Sequence, residues 1–220
     1  MNSVDENILN ISYKYLDEQI SDKGDVYSFT RKYIRHKNPE IRMRLLELIG
    51  LHCLKRLSKY VHEGLSDKNE LIRATACETA SKLGLKKYIP DIILLLKKDN
   101  PIVRMSAADA IGILGNKGHI DFLMSQISSD RNSEVRLRVT YALYALSKNA
   151  KYFENLFDFL NHPYYRVRCA TAYYLSESIT AKKDWRYQKV LSALGNALKI
   201  EKLQAVKSSL KNSISHMKDM

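Results

Sequence analysis

Five arginines recur along this chain at nearly equal spacing: Arg42, Arg73, Arg104, Arg136 and Arg168, separated by 31, 31, 32 and 32 residues. A guanidinium can fork onto a carboxylate or a phosphate through two parallel hydrogen bonds. A ladder of five such cations therefore reads as a polymer grip or as an internal tie. Catalytic chemistry has less to build on. Cys53, Cys77 and Cys169 are odd in number and far apart, and no C-x-x-C occurs, so neither a zinc site nor a disulfide framework is supported. They read as small apolar fillers within helices. The six histidines are scattered, and His62-Glu63 is the one dipeptide of its kind. There is no G-x-x-x-x-G-K, H-E-x-x-H or G-x-S-x-G. No enzyme activity, metal or cofactor is expected.

Each arginine sits in a copy of one segment. The copies are Lys37–Gly50 "KNPEIRMRLLELIG", Lys68–Gly84 "KNELIRATACETASKLG", Asp99–Gly115 "DNPIVRMSAADAIGILG", Arg131–Ser147 "RNSEVRLRVTYALYALS" and Asn161–Ser176 "NHPYYRVRCATAYYLS". In the third copy Val103, Ala107, Ala110, Ile111 and Leu114 fall on one stripe of a 3.6-period helix. The stretches between copies, such as "KKYIPDIILLLKKD", predict a second amphipathic helix, with Pro90 in its first turn. Each unit is thus a helical hairpin of about 31 residues, and only stacking of neighbours buries its apolar stripe.

"DNPIVRMSAADAIGILG" and its sister copies resemble the HEAT-like repeats, in particular the short form named after phycobilisome lyases. The resemblance spans about Lys37 to Ile179. It implies an all-α fold, an α-solenoid wound as a right-handed superhelix. It also implies that the arginines, with Asp67, Asp99 and Asp130 just before three of them, form a structural ladder between adjacent loops. One domain, 1–220, is expected: N-terminal capping helices over 1–37, with a pair at Val4–Ile20 and Asp25–His36; repeats over 38–180; and capping helices over 181–220, at Trp185–Ile200 and Lys202–Met217.

Counting from the apolar residue before each arginine, position +6 points away from the predicted stripe. It holds Glu47, Glu78, Asp109, Tyr141 and Tyr173, and position +9 holds Gly50, Ser81, Gly112, Tyr144 and Ser176. The resemblance implies that this second helix lines a concave face. The expected partner-binding column is therefore Glu47, Glu78 and Asp109 continuing into Tyr141, Tyr144 and Tyr173, with small residues at +9 leaving room for an entering chain. Tyrosines on a solvent face favour a protein partner.

The net charge of +12 allows a second reading. Most of the excess lies off that column, and Lys182, Lys183, Arg186 and Lys189 form the candidate nucleic-acid site. Two enzymes with HEAT-like arrays fit poorly. Deoxyhypusine hydroxylases need several His-Glu pairs, and alkylpurine DNA glycosylases need a tryptophan-lined basic cleft; this chain has one His-Glu and one Trp. The polar start and the shortness of the longest apolar run, Ile92–Leu96, predict a cytoplasmic protein with no membrane contact. The expected function is a non-enzymatic module holding another protein, by analogy with immunity proteins that neutralise a toxin domain. The alternatives are a basic nucleic-acid-binding repeat protein and an adaptor or assembly subunit.

Overall fold

The computed structural model describes residues 3–16 and 23–220. Among them are thirteen α-helices and no strand. Residues 17–20, part of the expected first helix, lie outside the described set. The chain divides into two compact units, Met1–His119 and Ile120–Met220.

The first unit holds α1 (Ser3–Leu16), α2 (Lys23–Tyr33), α3 (Pro39–Leu51), α4 (Ser58–Leu65), α5 (Glu70–Leu83), α6 (Ile89–Lys98) and α7 (Pro101–Leu114). Helices α3, α5 and α7, which carry the arginine copies, stack side by side. Helices α2, α4 and α6 pack on α3, α5 and α7 respectively, completing three hairpins. Helix α2 is the first helix of the first hairpin, while α1 packs on α3 and meets α2 through Tyr15 and Phe29, whose rings lie 5.2 Å apart. The second unit holds α8 (Ile120–Ser129), α9 (Ser133–Ser147), α10 (Ala150–Asp158), α11 (Tyr165–Glu177), α12 (Tyr187–Ile200) and α13 (Gln204–Asp219). Helices α8 and α10 pack on α9, α11 contacts α9 and α13, and α12 packs on α13. The closing helices thus form a sixth hairpin, with Val206 buried where earlier copies bury Val167.

The repeated letters act at the helix starts. Asn38, Asn69, Asn100 and Asn132 cap α3, α5, α7 and α9, each side-chain oxygen accepting from an amide of the first turn. One turn on, the arginine reaches back to its own loop. Arg42 Nη1 donates to the His36 and Lys37 carbonyls at 2.8 and 3.0 Å, and Arg73 Nη1 to the Asp67 carbonyl at 2.7 Å. Its remaining donors fork onto an acid of the next loop. Arg42 holds Asp67 at 2.9 and 3.0 Å, Arg73 holds Asp99 at 2.6 Å twice, and Arg168 holds Glu201 at 2.8 and 3.1 Å. These carboxylates also accept from amides of their own loops: Asn69, Asn100, and both Lys202 and Leu203. The ladder is structural at these three of its five arginines.

The helix ends show one departure from expectation. Gly84, after α5, takes the left-handed conformation with φ 68°, which costs glycine little. The matching residue after α3 is Cys53, at φ 53° and exposed. It is therefore a turn residue outside the helix and not a core filler, whereas Cys77 is buried and burial pushes its thiol pKa up.

Two outcomes are expected. Cys53→Gly should raise stability by roughly 0.5–1 kcal/mol, since a Cβ is disfavoured in that conformation; a urea melt measures it. Glu201 offers a pH test. The Arg168 hydrogen bonds, against the opposing effect of burial and with help from two amides, pull its pKa from 4.5 to about 2. A depressed carboxylate stabilises the fold above its unfolded pKa and loses that contribution as pH falls through the folded value. Glu201→Gln should therefore lower the thermal midpoint at neutral pH, and the gap from the parent should close between about pH 4.5 and pH 2.

Candidate functional site

In the first unit the three carboxylates at +6 lie on successive stacked helices. Glu78 on α5 is exposed, and its Oε1 accepts from Ser106 Oγ of α7 at 3.1 Å. Glu47 on α3 is half-buried and pairs with Arg44 one turn earlier at 2.8 Å. That pairing raises the Arg44 pKa, and the Arg44 guanidinium also covers the Tyr13 ring at 5.1 Å. Asp109 on α7 is half-buried. The acids are spread along three helices and do not converge on a point. Among the described residues no group of three or more His, Cys, Asp or Glu is placed to hold a metal ion. His62 and Glu63 face different neighbours: His62 stacks on Tyr88 and contacts Asp91 at 3.1 Å, while Glu63 pairs with Arg35.

In the second unit the tyrosines part company. Tyr173 on α11 is 54% exposed. Tyr141 on α9 is half-buried and lies 4.6 Å from the Tyr174 ring, which Tyr173 meets at 5.4 Å and Arg138 covers at 5.8 Å. Together they form an aromatic patch with a guanidinium on it. Tyr144 is not part of that surface. It is 9% exposed, packs on Phe153 of α10 at 5.3 Å and lies under Arg186 at 5.4 Å. Position +9 fails as a roomy strip elsewhere too. Ser176 is buried with its hydroxyl on the Tyr173 carbonyl, and a Cβ on Gly50 would meet Lys82 Cδ at 3.2 Å.

The reason is the stack. A helical wheel with one buried stripe assumes one packing partner. Helix α5 has three faces covered, by α4, α3 and α7, so its flanks are buried as well as its apolar stripe. Ala74 and Leu137 at +2 are buried for the same reason. Beyond the first turn, what stays open is a narrow strip at +6 and +10. Position +10 escaped the sequence reading: it holds half-buried Leu51 and Ala145 and exposed Lys82, Ile113 and Glu177, and Ile113 is 67% exposed beside half-buried Asp109. The signal was present in the copies, where +5 holds Leu46, Cys77, Ala108, Thr140 and Ala172, and all are buried.

The second candidate group also divides. Lys182 and Lys183 are exposed. Lys189 is exposed but pairs with Glu154 at 2.5 Å and covers Phe157 at 5.3 Å. Arg186 is turned inward: it pairs with Asp184, lies over Tyr144 and Phe153, and buries Nη1 without a hydrogen-bond partner. That desolvation lowers its pKa. Arg186 is thus a packing residue, unsuited to phosphate contact.

A family profile described as HEAT repeats matches residues 28–112 and 86–144. Two solved structures share the fold. One is from the complex of CpcE and CpcF of phycocyanin lyase from Nostoc sp., at 16% identity over 86% of this chain and 94% of that one, with a TM-score of 0.50. The other is human deoxyhypusine hydroxylase in complex with glycerol, at 14% identity over 90% of this chain and 97% of that one, with a TM-score of 0.51. No curated protein sequence matches this chain. Among the described residues no helix is long and apolar enough to cross a membrane.

The two tyrosines should separate in a stability assay. Tyr144→Ala removes a packed ring and should cost about 3 kcal/mol or more. Tyr173→Ala, at the surface, should stay within about 0.5 kcal/mol of the parent. Urea melts of both variants, followed by far-ultraviolet circular dichroism, measure the difference.

Proposed function

This chain belongs to the HEAT-repeat family, and on that footing we propose that it is a non-enzymatic protein-binding module whose second helices present the contact surface. The observation that carries the reading is Tyr173, a large aromatic more than half exposed in the body of α11, where its neighbour Tyr174 is buried. Tyrosine gives wide contact at low entropy cost and is enriched at protein interfaces. Tyr141 and Arg138 enlarge the same patch. On the first unit the open strip offers Glu47, Glu78 and Asp109, which suit basic side chains of a partner, and Ile113, which offers an apolar contact. A toxin domain with a basic face is one partner of that chemistry. The phycocyanin lyase chain of the same fold occurs in a complex with a second chain, which is in keeping with a protein partner.

The contributions should be unequal. Carboxylates left partly in water contribute about 0–1 kcal/mol each, whereas a desolvated tyrosine can reach about 2 kcal/mol. Partner captured with the tagged parent, identified and then measured by surface plasmon resonance, supplies the test. Tyr173→Ala should speed dissociation about tenfold or more. Glu78→Lys with Asp109→Lys should mainly slow association, and added salt should mimic it. Unchanged kinetics in both variants would remove the second-helix strip as the contact surface.

A further inference from the structure

Each second helix of the first unit ends in a short 3-10 turn that leads into the next hairpin. The turns after α3 and α5 are Lys55–Leu57 and Lys86–Tyr88. Their apolar members, Leu57 and Tyr88, are buried, and their basic members are exposed. The turns lie side by side. Tyr88 Oη donates to the Ser58 carbonyl, one residue past the first turn, at 3.2 Å. At the helix ends just before them, the Lys82 stem lies over Gly50, where a Cβ would come within 3.2 Å of it. Six cations therefore share one edge: Lys55, Arg56, Lys59, Lys82, Lys86 and Lys87, all exposed. None of the six forms an ion pair among the described residues. The nearest acids on the adjoining helices are already engaged, Glu63 by Arg35 and Asp91 by His62.

We propose that this edge binds the sugar–phosphate backbone of a nucleic acid. The edge lies at the ends of the second helices and meets the open strip at Lys82, but neither reading depends on the other. Phosphate chemistry is favoured over an acidic protein by what the turns lack. A protein interface draws most of its energy from a few buried aromatic or apolar anchors. Here Leu54, Leu57, Tyr88 and Ile89 are buried, and the exposed side chains of the two turns are all basic. Five of the six are lysines, compact charges on flexible stems, which suit contact with phosphates without sequence preference. The second unit carries the same feature in its own turns: Lys148 and Lys151 around the start of α10, and Lys182 and Lys183 before α12, all exposed. Two members of the sequence-predicted nucleic-acid group thus belong to this class of position.

The test is fluorescence anisotropy of the full chain with labelled oligo(dT) and with a labelled random-sequence DNA duplex, with polyglutamate as competitor. Four neutralised phosphates on a single strand predict a loss of about 50-fold in affinity between 50 and 200 mM salt. The variant Lys55→Glu, Arg56→Glu, Lys86→Glu, Lys87→Glu should bind either DNA at least tenfold more weakly at low salt, with helicity unchanged. A control with the same charge change elsewhere, Lys199→Glu, Lys202→Glu, Lys211→Glu, Lys218→Glu, should stay within about threefold of the parent, since only non-specific charge is altered. Tighter binding of the duplex than of oligo(dT), or the reverse, tells which backbone the edge accepts. Three results overturn the proposal: no DNA binding at low salt, an equal loss in the control, or polyglutamate binding tighter than both DNAs, which would give the edge to an acidic protein.

Discussion

A second helix that packs on its own hairpin partner and on a neighbouring helix at each flank has little surface left to offer. That double-sided stacking is the constraint on which the rest depends. It requires the loops at the helix starts to sit in register, and the arginine fork sets the register. Arg42 fastens its own loop through carbonyls and the next loop through Asp67, and Arg73 repeats the arrangement with Asp99. The carboxylates are half-buried and ionised: burial opposes their charge, but the arginine bonds and the loop amides outweigh it and hold both pKa values below normal. Removing one partner would leave the other charge poorly solvated, so the rungs resist change more than surface ion pairs do.

Much of this was legible in the sequence. The 31–32 residue period gave hairpins because a recurring apolar stripe with a capping Asn and a back-reaching Arg has one economical solution. The apolar residue directly before the arginine of every copy, from Ile41 to Val167, is buried as its position demands. The acid–arginine ladder was legible through family resemblance, although Glu201, the acid of the last rung, was hidden by the longer segment before α13. The face of the second helix was harder to read. Tyr144 looked solvent-facing because a wheel cannot know that α10 covers it with Phe153. Arg186 looked like a free cation because nothing in "KKDWRY" says that its guanidinium turns back over two rings. Ile113 was overlooked because an isoleucine near a helix end is ordinarily assigned to the core.

The structure divides the charged residues by role. Acids in the loops are consumed by the ladder, whereas acids at +6 stand on the open strip. Arginines at the repeated position face inward, while the lysines cluster in the turns after each second helix, where the helix dipole favours cations. Position +6 varies in chemistry between the copies, from Glu and Asp to Tyr, while the buried +5 stays small or apolar.

Hydroxyl-radical footprinting of the free chain, read by mass spectrometry residue by residue, tests the central claim that stacking leaves only this narrow strip open. Oxidation should be fast at Tyr173 and Ile113 and slow at Tyr144, Tyr174 and Leu137. Modification of Tyr144 at a rate matching Tyr173 would show that the flanks of the second helices are open to solvent, and would contradict the account.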